Sequence, residues 1–433
     1  MVSSYISNYG ALSMLENNDS IRGYDKRTKK WLNINKDLEE ILLLCQGRLT
    51  IEEIINKISG NHNISEQKIR KKILSSINSL EKDQIIIKKE KQEDRTIRVR
   101  NYNFEFPLIS AFIEITKKCN LNCSHCYNES SNREHEGLSR KDLSNFLEQV
   151  DKMGVFNIFL TGGEPFIRKD FMDILYEIND RKMEIGILTN GILLNKDSIK
   201  ELSKIKPKFL AVSLESLNEE KYRIIRRVNN KKVIDNILKM KNQEINVKIN
   251  TVLFNGLNDS YVDIKSLLLF LKEKGFNRND LAIDEFLNIG RGKKFDKYVI
   301  KDKAKIIENY KRASREIFNE EASLETHYGN QNRTSFCGLG ENILYLTSNA
   351  DITLCTVLTD KKFMAGNIRE KPLKEIWEKS DKFNYFRERK HIKNSECENC
   401  SKLSECAGGC KAKPMLLEGH FNMADKWACS FYA

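Results

Sequence analysis

From Ile109 to Leu287, short apolar runs alternate with stretches of helical period, and this alternation limits the architecture more than any other feature of the chain. The runs fall near 109–116, 155–161, 185–189, 209–214, 247–253 and 281–287. Between them, stretches such as 139–153 and 260–274 repeat apolar residues three and four apart. Six alternations predict a parallel sheet with helices packed outside it. Function gathers at the carboxyl ends of such strands.

Two of those ends carry unusual chemistry. The first run is followed by Cys119-Asn-Leu-Asn-Cys123-Ser-His-Cys126. Three thiolates on one short loop can hold three irons of a 4Fe–4S cube and leave the fourth iron open. A zinc knuckle is the competing reading, but it needs a fourth ligand, and only an inward-turned His125 stands close enough. The second run ends at Gly162-Gly163-Glu164-Pro165, where paired glycines let a backbone approach a ligand closely. Beyond Phe336 the chain changes character. Cys337, the alternating run Ile343–Leu346, a turn at 348–351, and 352–354 with Cys355 read as a hairpin with a cysteine at each end. Cys397, Cys400, Cys406, Cys410 and Cys429 follow, with spacings that also suit two zinc sites.

The cysteine spacing and the Gly-Gly-Glu-Pro turn together resemble the radical SAM superfamily, and the cysteine series from Cys337 to Cys429 resembles its SPASM domain. The resemblance implies an open six-strand (β/α)6 partial barrel, an α/β fold. It implies that the cluster on Cys119, Cys123 and Cys126 binds and cleaves S-adenosylmethionine. Gly162, Gly163, Glu164 and Pro165 would receive the methionine amino group, with the Glu164 side chain taking part. Asn190 would meet the ribose. Ser213 and Glu215 stand at the family's Ser-x-Asp position, here with Glu in place of Asp. Arg226 would pair with the cofactor carboxylate. Gly290-Arg291-Gly292 also recurs in relatives, without an assigned role. Two auxiliary 4Fe–4S clusters are implied, one on Cys397, Cys400, Cys406 and Cys429, the other on Cys337, Cys355 and Cys410. That makes three clusters in all, fed by a reductant such as flavodoxin or ferredoxin.

The first hundred residues read as a separate small domain. Two strands are expected within 24–34, then helices opened by Asn35, by a Thr50–Glu53 capping box and by Ser65, then a strand over 84–88. Cys45 lies in an apolar stripe and reads as a buried small hydrophobe. This is a winged-helix outline. Fused to such a barrel, it resembles the PqqD-like leader-recognition domain of peptide maturases. A charged linker is expected over 92–103. The expected division is 1–100 leader domain, 101–315 barrel and 316–433 SPASM domain. Over its whole length the layout is most similar to sactipeptide thioether synthases of the subtilosin type, which link a cysteine sulfur to carbon in a ribosomally made precursor peptide. Carbon–carbon crosslinking, epimerisation, formylglycine formation by a sulfatase-type maturase, and an iron–sulfur DNA-binding regulator are the alternatives.

Composition narrows the setting. The 433 residues carry a net charge of +12 without a block of five like charges, which reads as solvated surface and not as a nucleic-acid face. No apolar run approaches about 20 residues, so a soluble, cytosolic protein without membrane contact is expected. Ten of the 11 cysteines fall in the two clustered regions or alternate at ligand spacings, which argues against disulfides.

Overall fold

The structure is a computed structural model. It describes residues 5–8, 12–16, 21–25, 30–83, 85–92, 98–101, 106–135, 137–322, 337–393 and 395–432. The chain divides into two compact units at Pro107.

The first unit contains β1 (Tyr5–Asn8), β2 (Leu12–Glu16), β3 (Ile21–Asp25), β4 (Lys30–Ile34), α1 (Lys36–Leu44), β5 (Gln46–Thr50), α2 (Ile51–His62), α3 (Glu66–Lys82), β6 (Ile86–Lys89) and β7 (Arg98–Asn101). β5, β1 and β6 form one antiparallel sheet, and β4, β3, β2 and β7 a second. The helices start as their caps dictate. Asn35 Oδ1 accepts from Leu38 N at 2.8 Å, and Thr50 and Glu53 close a reciprocal capping box. Ser65 stands at the start of α3 but makes no side-chain cap, contrary to expectation. Ile41, Leu42, Ile54, Ile55, Ile73, Ile77 and Leu80 form the core. Cys45 is fully buried among them, and burial pushes its thiol up to about 12, so it is the inert hydrophobe expected. The charged stretch read as a linker is in part a strand, since β7 pairs with β2 in parallel register. Residues 93–97 and 102–103 of that stretch, and Gln84 of the expected last strand, lie outside the described residues.

The second unit holds the parallel sheet. Its alternating elements are β8 (Ser110–Glu114), α4 (Arg140–Lys152), β9 (Asn157–Thr161), α5 (Phe171–Asp180), β10 (Glu184–Thr189), α6 (Lys196–Ile205), β11 (Phe209–Ser213), α7 (Glu219–Arg226), α8 (Lys231–Asn242), β12 (Val247–Leu253), α9 (Tyr261–Glu273), β13 (Leu281–Glu285) and α10 (Lys303–Phe318). Strands β8 to β13 lie side by side in chain order, all parallel. All five residues of β8 and of β9 are buried, which is why they read as unbroken apolar runs. Phe112, Phe159 and Phe209 stack across three strands, with centroids 4.6 and 5.7 Å apart.

The same sheet continues past β8. β14 (Ile343–Leu346) pairs with β8 in parallel, and β15 (Asp351–Thr353) and β16 (Met364–Asn367) follow antiparallel. The expected hairpin is therefore built onto the edge of the barrel sheet. Short helices α11 (Leu373–Lys379), α12 (Asp381–Arg387), α13 (Leu403–Cys406), α14 (Ala412–Glu418) and α15 (Lys426–Tyr432) complete the unit. No helix among the described residues is long and apolar enough to cross a membrane.

Candidate active site

The loop after β8 is held at its base by Cys119 N–H donating to Ser131 O at 3.0 Å. Leu121, Ile192 and Val228 wall its thiols off from water. Burial pushes the Cys119 thiol up to about 12 and raises Cys123 as well. As free groups they stay protonated, so a bound metal must supply the charge that deprotonates them. N–H groups already aim at the sulfurs. Leu121 N reaches Cys119 Sγ at 3.4 Å, Asn190 Nδ2 reaches it at 3.9 Å, and Arg226 Nη1 reaches Cys123 Sγ at 3.7 Å. Two buried thiols with N–H donors on their sulfurs, and the half-buried Cys126 beside them, suit the ligand chemistry of an iron–sulfur cluster.

Gly162 and Gly163 seat the turn after β9 directly under this loop. Gly163 N donates to Thr116 O at 2.8 Å and Glu164 N to Lys118 O at 2.9 Å. A Cβ on Gly163 would lie 2.1 Å from Lys118 O, and one on Gly162, whose φ is +146°, would lie 2.3 Å from Thr116 O. The two glycines thus let this turn lie close against the cysteine loop's own backbone.

The Glu164 carboxylate accepts from Thr189 Oγ1 at 2.7 Å, Asn190 N at 2.7 Å and Phe166 N at 3.2 Å, and is fully buried. Burial outweighs these bonds and raises its pKa from 4.5 to about 7. Pro165 then opens a 3-10 turn. A raised carboxyl pKa stabilises the fold below pH 4.5 and loses that contribution as pH climbs through about 7. Over that window the wild type is expected to lose roughly 3 kcal/mol relative to Glu164→Gln. Urea unfolding of both proteins between pH 5 and 8 checks this, and parallel pH profiles would refute it.

Asn190 turns its amide to the same loop, donating to Asn120 Oδ1 at 2.9 Å and accepting from Ile192 N at 3.0 Å. The Asn190 amide thus braces the cysteine loop. Ser213 ends β11, half-buried. The Arg226 fork meets Glu215: Nε donates to Oε2 at 2.7 Å, and Nη2 pairs with Oε1. The Glu215 side chain is fully buried, and Asn258 Nδ2 fixes its backbone carbonyl at 2.8 Å.

Other partners were not foreseen. Glu114, the one charge in the apolar β8, accepts from Asn128 Nδ2 of the cysteine loop and from Ser348 N of the hairpin turn at 2.9 Å. A carboxylate inside a wholly buried strand was the available signal. Gly290-Arg291-Gly292 also touches the cysteine loop.

The C-terminal cysteines fall into two sets. Cys337, Cys355 and Cys410 are half-buried, and desolvation raises the pKa of each thiol; Cys410 lies within electrostatic reach of the other two, and Cys337 within reach of Cys355. Cys429 lies within reach of Cys397 and Cys400, and Cys406 within reach of Cys429 and Cys397. Asp425 links the sets. It accepts from Cys410 N at 2.9 Å and caps α15, which carries Cys429, through Trp427 N at 3.0 Å. Lys413 Nζ, three residues past Cys410, reaches Asp284 Oδ1 at 2.6 Å beside the end of β13.

Sequence comparison matches the radical SAM superfamily over residues 113–268 and the iron–sulfur cluster-binding SPASM domain over 337–401. GTP 3′,8-cyclase of Clostridium perfringens is 34% identical over 190 residues, 42% of this chain and 57% of that protein. The antilisterial bacteriocin subtilosin biosynthesis protein AlbA of Bacillus subtilis is 30% identical over 214 residues, 48% of this chain and 46% of AlbA. The chain thus spans about half the length of these relatives. Among solved structures, SuiB of Streptococcus suis shares the fold. Its complex with precursor peptide SuiA superposes with a TM-score of 0.68 at 18% identity, covering 98% of this chain and 99% of SuiB. Its S-adenosylmethionine complex gives 0.66 at 20% identity, with the same coverage.

Proposed function

We propose that this chain, which carries a radical SAM domain and a C-terminal SPASM iron–sulfur domain, installs sulfur-to-carbon thioether crosslinks in a ribosomally made precursor peptide. The observation that carries the reading is the sorting of the cysteines: a triplet at the mouth of the sheet, and a set of three and a set of four beyond it. Cys119, Cys123 and Cys126 would hold the first 4Fe–4S cluster, Cys337, Cys355 and Cys410 the second, and Cys397, Cys400, Cys406 and Cys429 the third. Such a cluster supplies the electron that cleaves S-adenosylmethionine to methionine and a 5′-deoxyadenosyl radical, which takes hydrogen from an unactivated carbon.

The chain's own residues keep that chemistry in place. Leu121, Ile192 and Val228 exclude water from the thiols. Asn190 and Glu164 join the turns of β9 and β10 under the loop, and Glu114 ties the loop to the hairpin that leads to Cys355. Joining an S–H and a C–H would release one hydrogen atom to the deoxyadenosyl radical, one proton to solvent and one electron that an auxiliary cluster would accept. A cluster held by Cys337, Cys355 and Cys410 alone would have one iron without a protein ligand, open to a substrate thiolate. Support for a peptide substrate comes from AlbA, a bacteriocin biosynthesis protein, and from SuiB, seen with its precursor peptide.

Residues 1–100 are read as the winged-helix leader-recognition domain, 101–315 as the radical SAM barrel and 316–433 as the SPASM domain. In the first unit β4 and β7 lie at the edges of their sheet, and an edge strand can accept an added peptide strand. The setting is a reducing cytoplasm with flavodoxin or ferredoxin as reductant. Removing residues 1–105 is expected to weaken precursor binding at least about tenfold while leaving peptide-independent cofactor cleavage in place. Calorimetric titration with the precursor checks this, and an unchanged affinity would remove the leader-domain assignment. Mass spectrometry of the product tests the bond. A thioether lowers the peptide mass by two hydrogens per link and blocks a cysteine from alkylation. An unchanged mass with inverted centres would instead indicate epimerisation. Cys400→Ala is expected to keep forming 5′-deoxyadenosine and to lose the crosslinked peptide.

A further inference from the structure

We propose that Gly290-Arg291-Gly292 is the strap that shapes the cysteine loop, with Arg291 as its positioning residue. This rests on the reading of that loop as a cluster site. Three donors of one residue meet three backbone carbonyls of the loop. Arg291 N donates to Cys126 O at 3.1 Å, Nε to Cys123 O at 3.0 Å and Nη2 to Ser130 O at 2.7 Å. Two of those carbonyls belong to the candidate ligands themselves. The loop has no helix or strand to hold its form, so its shape rests on bonds such as these, together with the Gly163 turn and the contacts of Asn190 and Glu114.

Gly290 makes the approach possible. Its φ is +54°, and a Cβ there would lie 2.3 Å from Tyr127 O and 2.6 Å from Cys126 O. Gly292 fits against the Phe286 ring, where a Cβ would lie 2.9 Å from Cε2. The topology explains why a strap is needed. The loop follows β8 and the strap follows β13, at the opposite end of the parallel run, and these two strands do not pair. Hydrogen bonding between strands cannot brace the loop from that side. The turn after β13 reaches back across the mouth and does so. A guanidinium serves where an ammonium does not, because its planar fork serves carbonyls 161 and 168 residues away in sequence at once. It also sets a fixed positive charge on the backbone of the loop that carries the three cysteines.

The test compares the full-length protein with Arg291→Gln, Arg291→Lys, Gly290→Ala and, as a control away from the loop, Arg223→Gln. Hydrogen–deuterium exchange of the metal-free proteins should show protection over residues 119–131 falling at least about tenfold in the first three and unchanged in the control. Exchange at strands β8 to β13 reports overall folding in the same experiment and should stay native. After anaerobic reconstitution, iron release to a chelator should quicken at least about tenfold in the same three variants. The midpoint potential of the loop-bound cluster, followed by electron paramagnetic resonance, should become more negative in Arg291→Gln and stay near the wild-type value in Arg291→Lys, which keeps the charge. Native loop exchange and native iron release in Arg291→Lys would overturn the strap. A wild-type protein that takes up no iron, with loop exchange still dependent on Arg291, would instead overturn the cluster reading and leave the strap standing.

Discussion

Replacing Arg226 by Gln is expected to destabilise the second unit by about 3–5 kcal/mol, the usual cost of breaking one side of a buried ion pair. Glu215 has no exposed side-chain surface and Arg226 only 11%. Burial alone would lower the pKa of Arg226. The adjacent Glu215, together with Cys123, outweighs it and holds the guanidinium charged. Without Arg226 the Glu215 carboxylate is left desolvated and unpaired. Glu215→Gln alone should be harmful for the mirror-image reason. The double variant should recover part of the loss, because two neutral amides can bond to each other. Urea unfolding of the four proteins gives the coupling directly. A change below about 0.5 kcal/mol in Arg226→Gln, the range of ordinary surface substitutions, would mean the pair is not buried as described.

Gly163→Ala is expected to cut the rate of S-adenosylmethionine cleavage at least about a hundredfold, since displacements near 1 Å at a reacting site cost that much. The added methyl would sit 2.1 Å from Lys118 O and 2.7 Å from Lys117 O. Both are backbone atoms at the root of the cysteine loop, and neither can rotate away. Relief requires the loop to lift off the turn after β9, breaking the bonds from Gly163 to Thr116 and from Glu164 to Lys118. Gly60→Ala is the matched control, because a Cβ there meets nothing within 4 Å. The 5′-deoxyadenosine formed per hour by each reconstituted protein measures the contrast. A native rate in Gly163→Ala would show that the turn does not support the loop.

The parallel strands were legible because burial leaves an apolar signature, on both faces in β8 and β9 and on alternate residues in β12. β12 runs 247–253, as its pattern indicates, and β8 to β11 and β13 fall within a few residues of their runs. The short strands of the first unit were not. β5 reads Gln-Gly-Arg-Leu-Thr and β7 Arg-Val-Arg-Asn, and neither carries an alternating or apolar pattern strong enough to mark a strand. Cysteine spacing located the candidate site because one loop supplies all three thiols. The supporting residues were harder to place for a physical reason. Their partners are remote in sequence: Glu164 meets Asn190 26 residues on, Arg226 meets Cys123 across 103, and Arg291 meets Cys123 across 168. In the folded chain Glu164 bonds to Asn190, Asn190 to the cysteine loop, and Arg226 to Glu215, links that no local pattern announces.

The central claim is that the loop from Cys119 to Cys126 carries the group that cleaves S-adenosylmethionine. Oxygen-free wild type and Cys119→Ala, each reconstituted with iron and sulfide and then given dithionite and S-adenosylmethionine, test it most directly by chromatography of 5′-deoxyadenosine. The account predicts product from the wild type and none above background from the variant. Equal yields from the two proteins would contradict it.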